Sequence, residues 1–140
     1  MALATFLQLI RPHSIEERRA VRVYQVAAQR IAERVRSIFD DWLGLREFEA
    51  DYNQLANSAA VYRWELMRLA REAEELGPPR SIGSLHRDIH NAVVGAARAC
   101  QLLANGYRSH KSEAVCDGQA LLLETVTEVN ELVAQLQMRI

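Results

Sequence analysis

Cysteine, proline, glycine and lysine are all scarce in this sequence. Two cysteines in 140 residues, Cys100 and Cys116, are too few for a disulfide scaffold and lack zinc-finger spacing. Three prolines and six glycines argue against a loop-rich or all-β chain. No run of 18 apolar residues exists, so no segment reads as a membrane span. Neither sign of charge dominates: 17 basic residues meet 18 acidic ones, for a net charge of −1. That balance disfavours nucleic-acid binding by bulk attraction and excludes a disordered, highly charged tail. Lys111 is the only lysine and the remaining 16 basic residues are arginine, a skew that a GC-rich genome explains without a functional cause. What is present is apolar: 49% of the chain is hydrophobic, enough for one core in one domain.

The first ten residues are apolar but carry no basic start. Arg11-Pro12-His13 follows where a signal peptide would place small cleavage-site residues. The segment therefore reads as one that packs on the body of the protein, and the expected location is the cytoplasm of a prokaryote.

Proline inside a helix costs about 3 kcal/mol, so the proline-free stretches 13–77 and 80–140 are permissive for helix. Gly44, Gly77 and Gly106 each follow a periodic apolar segment, as helix stops do. They divide the chain into 14–43, 45–76, 82–106 and 110–139. Ser14-Ile15-Glu16-Glu17 has the form of a capping box, and Ser81 or Ser84 and Ser109 or Ser112 are candidate caps for the third and fourth segments. No alternating β-branched run occurs, so strands are not expected.

Each segment carries an apolar stripe at helical spacing. In the second, Leu45, Phe48, Tyr52, Leu55, Ala59, Tyr62, Leu66, Leu69, Ala73 and Leu76 follow unbroken steps of three and four. The first repeats the pattern from Val21 to Trp42, and the fourth from Val115 to Ile140 with Gln119 as its one polar member. The third runs from Ile82 to Leu103, and its middle, Ala92 to Ala99, is mostly small residues that let neighbouring helices approach closely. Four such helices with short connections predict an all-α, up-down-up-down four-helix bundle. Charge agrees: residues 1–43 carry +2, 44–76 carry −3, 77–108 carry +3 and 109–140 carry −3. In an up-down bundle every helix then lies between two of opposite sign.

Trp64 is the most unusual placement. It falls directly opposite the stripe of the second helix, with Val61, Met67 and Arg68 near it. A large aromatic facing away from a core needs a cover. A self-association surface or a partner site anchored by Trp64 supplies one; the plainer readings are that the N-terminal residues Leu3, Phe6, Leu7 and Ile10 fold over it or that the ring simply lies exposed. His86 and His90 stand at i, i+4, the spacing with which one helix offers two nitrogens to a divalent metal. An up-down bundle brings His13, Glu16, Glu17 and Glu131 to the same end. The Glu-x-x-His motif of di-iron bundles is absent. Cys100 and Cys116 are equidistant from residue 108, so an antiparallel hairpin turning there would set them level as a redox pair; two small core residues is the plainer reading.

Arg80 and His86, with five residues between them, loosely match the Arg-x4–6-His pattern of HEPN ribonucleases. Chance supplies about one such match in a chain of this composition, so the family is not claimed. Arg18, Arg19, Arg22, Arg30, Arg34 and Arg36 crowd the first helix, but the acidic neighbouring helices offset them and no aromatics interleave. The expectation is a non-enzymatic interaction or scaffold module, a homodimer or a binder of another helical protein, with no cofactor. The competing reading is a metal- or small-ligand-binding bundle centred on His86, His90 and His13.

Overall fold

The computed structural model describes residues 15–47 and 51–139. Four helices hold most of them: α1 (Ile15–Glu47), α2 (Tyr52–Glu75), α3 (Gly83–Arg108) and α4 (Ser112–Gln137). A short 3-10 turn, Arg80–Ile82, leads into α3, and no strand occurs among the described residues. Each helix packs on the next, and α4 packs back on α1. The protein is an all-α four-helix bundle, as the four stripes predict. The N-terminal segment, Ser14 with its capping box, Phe48 and Ile140 lie outside the described residues.

The first two helix boundaries differ from expectation. Gly44 does not stop α1, which continues to Glu47. One glycine in a helix costs only about 1 kcal/mol, and Trp42, 1% exposed, already anchors that end of α1 in the core. The second helix starts at Tyr52 because Asp51 caps it. The Asp51 carboxylate accepts from the Gln54 backbone N–H at 2.8 Å, and the Asp51 backbone N–H donates to Gln54 Oε1 at 3.1 Å. This reciprocal box satisfies two otherwise orphaned groups. Leu45 therefore belongs to α1, and the stripe of α2 is shorter than the spacing suggested.

The other helix ends divide between confirmation and correction. Gly77, with φ +63°, ends α2 in the left-handed region before Pro78, as expected. Gly106 is not a stop, since α3 runs on to Arg108. There the left-handed position is taken by His110, φ +53°. The Lys111 N–H donates to Gly106 O at 2.9 Å and the His110 N–H to Tyr107 O at 3.3 Å, the paired bonds of a Schellman cap. The expected serine caps do not form: neither α3 nor α4 has a side-chain N-cap. Ser81 instead donates its hydroxyl to Glu17 Oε1 at 2.9 Å.

Packing is tightest around α3. Its buried face is largely small: Ala92, Ala96, Ala97, Ala99, Cys100 and Ala104. Glycines close the seam with α4. A methyl added at Gly106 would stand 2.9 Å from Val115 Cγ2 and 3.0 Å from the Val115 backbone nitrogen; one at Gly118 would stand 2.9 Å from Leu103 Cγ. Gly106 is thus a contact residue, buried because α4 crosses close over it. On its other side α3 packs equally closely on α2, whereas α1 touches α2 and α4 more sparsely.

The alternating helix charges yield few direct pairs. Among the described residues one arginine–carboxylate bridge crosses between helices, Arg34 to both oxygens of Glu65 at 2.7 and 2.8 Å. Half-exposed, it contributes roughly 0.2–1 kcal/mol. Arg36 reaches α4 at Asn130 instead of an acid. The alternation therefore acts as a diffuse field that favours this helix order.

Gly106→Ala is expected to destabilise the protein by about 1–3 kcal/mol in chemical denaturation, because the crowded atoms include backbone. Gly44→Ala, with no heavy atom within 4 Å of the added methyl, is expected to stabilise by about 1 kcal/mol.

Candidate functional site

The outer face of α2 presents the residues that the stripe leaves over. Trp64 is 59% exposed and Val61 58% exposed. The Arg68 guanidinium lies 5.8 Å from the centre of the Trp64 ring, and it also pairs with Glu72 one turn on at 3.4 Å. Met67 is only partly exposed and packs against the core. The contact surface offered by α2 is therefore Val61, Trp64 and Arg68, with Met67 at its buried edge.

Beside this face α1 and α2 diverge. An open groove of about 490 Å³ lies between them, with Ala27 and Ile31 of α1 and Leu69 and Leu76 of α2 as its apolar lining. Arg30 and Arg34 line it from α1, and Glu72 and Glu75 from α2. The groove has no counterpart in the sequence reading, because periodicity fixes which side of a helix is apolar and not how far apart two helices stand.

A second constellation lies where the start of α3 meets α1 and α2. His86 is buried at 6% exposure. Its Nδ1 is hydrogen-bonded to the Tyr24 hydroxyl, and its Nε2 stands 3.3 Å from Glu74 Oε1. His90 Nε2 reaches the same oxygen at 3.7 Å. Neutral His86 with its proton on Nε2 satisfies both partners: Tyr24 donates to Nδ1, and Nε2–H donates to Glu74. Three helices are tied by this chain. A hydroxyl, an imidazole and a carboxylate in line resemble a nucleophile relay, but Tyr24 is 3% exposed. Burial, reinforced by the negative charge of Glu74, pushes its phenol up to about 12. A phenol held protonated and out of solvent is a structural hydrogen-bond donor, not a nucleophile.

The structure thus brings His86 and His90 together and adds Glu74 and Tyr24, neither of which was a candidate. Tyr24 had a signal: a tyrosine on a core stripe must find a partner for its hydroxyl. Glu74 had none. His13 lies outside the described residues, and Glu17 is engaged by Ser81. Among the described residues no group of three or more His, Cys, Asp or Glu has an arrangement that could hold a metal ion. Arg80 is exposed on the 3-10 turn, while both ring nitrogens of His86 are engaged, so the two do not form an open Arg–His pair.

The cysteines are both free, Cys100 buried and Cys116 exposed. They are not level. Leu103 faces Gly118 and Gly106 faces Val115, which sets Cys100 opposite residue 121, about five residues or 7–8 Å along α4 from Cys116. The hairpin turns between residues 109 and 111, not at 108, and that displaces the register expected for a redox pair. Burial pushes the Cys100 thiol up to about 12.

No helix among the described residues is long and apolar enough to cross a membrane. No family model, curated protein or solved structure matches this chain.

Tyr24 and Cys100 both have folded-state pKa values raised above their ordinary 10.0 and 9.0. The folded state therefore holds these protons longer than the unfolded state, and stability falls as pH rises from about 9 to 12. Denaturation midpoints should drop across that window, and drop less in Cys100→Ala. In native protein, Cys116 should react with a thiol reagent while Cys100 reacts only after unfolding.

Proposed function

We propose that this chain is a non-enzymatic protein–protein interaction module that self-associates through the outer face of α2. The observation that carries the reading is Trp64: a large aromatic side chain, 59% exposed, contacted on its ring by Arg68 and flanked by the equally exposed Val61. Covering a large apolar side chain is worth roughly 1.5–3 kcal/mol, and tryptophan and arginine are among the residue types enriched at binding hot spots. The chain from buried Tyr24 and His86 out to exposed Glu74 fits this reading, because its polar groups are bonded to one another and tie three helices together.

The alternative reading, a divalent metal or small ligand bound through His86, His90 and His13, has against it that both ring nitrogens of His86 are already engaged by Tyr24 and Glu74. Metal analysis of the purified protein separates the two, since a stoichiometric divalent metal lost in His90→Ala belongs only to the second.

Light scattering of the wild type is expected to give the mass of a dimer. Trp64→Ala should lower that mass to a monomer with little change in melting temperature, because the side chain is exposed in the single chain. A mass unchanged by the substitution overturns the reading.

A further inference from the structure

The α1–α2 groove is bridged at one end. Arg34, the last residue of α1 to line it, crosses there to Glu65 of α2. Stepping back eleven residues along α1 and forward eleven along α2 from that bridge puts Val23 level with Leu76, and both are exposed. Between these levels the groove has an apolar lining: buried Ile31 and Leu69, with Ala27 and Leu76. On the α2 side the lining runs from Leu69 to Leu76, a length of about 12 Å. Arg30 flanks it on α1, and Glu72 and Glu75 flank it on α2. An occupant must enter from the Val23–Leu76 end and be apolar on one face over that length. It is best uncharged, because either sign of charge meets its like on one rim.

Residues 3–10 of this chain meet these requirements. Leu3, Phe6, Leu7 and Ile10 stand at i, i+3, i+4 and i+7, which places them on one face of a helix, while Thr5 and Gln8 fall opposite. No charged side chain occurs from Ala2 to Ile10. Eight residues of helix are about 12 Å long, the length of the lining. The connection is long enough. α1 begins at Ile15, eight residues or about 12 Å before Val23. A helix packed beside α1 is displaced sideways by about 8–10 Å. Ile10 must then stand roughly 15 Å from Ile15 to enter at the level of Val23 and Leu76. The five peptide units between them reach about 16–18 Å when extended, and Pro12 biases Arg11 toward extended backbone.

We infer that the occupant of the groove is the chain's own N-terminal segment. Residues 3–10 lie in it as a short helix antiparallel to α1, with their apolar face on Ile31, Leu69 and Leu76 and with residues 11–14 as the connecting strap. The segment gives α1 an apolar neighbour along its sparsest border, the one with α2. It does not cover Trp64. That residue lies five positions, about 7.5 Å, before Leu69 on α2, at the level of the Arg34–Glu65 bridge and on the outer face. The self-association surface stays free, so this inference and the function proposed above stand or fall separately.

Nuclear magnetic resonance on the full chain tests the placement. Nuclear Overhauser contacts are expected from the Phe6 ring protons to the methyl groups of Ile31 and Leu76. Isotope filtering in a mixture of labelled and unlabelled protein should assign them within one chain. Phe6→Ser is expected to abolish these contacts and to speed amide hydrogen exchange across residues 3–10 at least about tenfold. Its helical circular dichroism and its mass by light scattering should match the wild type. Phe6 contacts to Trp64, contacts found only between chains, or no contacts at all overturn the inference. So does a fall in mass in Phe6→Ser, which would make the segment part of the interface between copies. The mass of the wild type and of Trp64→Ala bears on self-association alone.

Discussion

Close approach along α3 is the constraint on which the rest of the structure depends. Small side chains on its buried face, and glycines where it meets α4, let two neighbouring helices come near it. A bundle with one such narrow spine cannot be symmetric. Once α2 and α4 close on α3, α1 is left to span the opposite side, where Tyr24, Ile38 and Trp42 reach into the core. The larger residues of α1 keep it at a distance, and a groove opens along its border with α2. The groove is thus a consequence of packing on the far side of the bundle.

Polar chemistry follows the same geometry. Tyr24 crosses from α1 to meet His86 on α3, and His86 passes the connection on to Glu74 of α2. Such a chain fixes the relative height of three helices at one end. At the other end the rings of Trp42, Tyr107 and Tyr52 form a continuous aromatic contact, which Tyr52 extends to His110. The bundle is pinned at both ends, by hydrogen bonds at one and by aromatic packing at the other. A scaffold with fixed helix heights is what a groove built from two helices requires, since its lining keeps its shape only if the helices do not slide.

Much of the fold was legible because period alone reports it. The stripes of α1 and α4 are the buried residues with few exceptions, and Gly77-Pro78-Pro79 marks the break that it suggests. Boundaries were less legible where a glycine has a role other than ending a helix. Gly44 sits in open space inside α1, and Gly106 is small because Val115 lies against it; neither role differs in sequence from a stop. Asp51 and Gln54 were readable as a cap, but the unbroken stripe running through them pointed to continued helix. The exposed position of Trp64 was visible from heptad phase. The groove, the convergence of Glu74 on His86 and His90, and the offset of Cys100 from Cys116 depend on the distance and register between helices, which no single helix encodes.

The central claim is that the Trp64 side of the bundle is covered by a second copy. The chain has two tryptophans, and Trp42 is buried in the core whatever the state of assembly. Iodide quenching of tryptophan fluorescence over a dilution series reads Trp64 directly. At high protein concentration the emission should resist iodide, and on dilution a quenchable share belonging to Trp64 should emerge with the same midpoint as the fall in mass. A Trp64 component open to iodide at every concentration would contradict it.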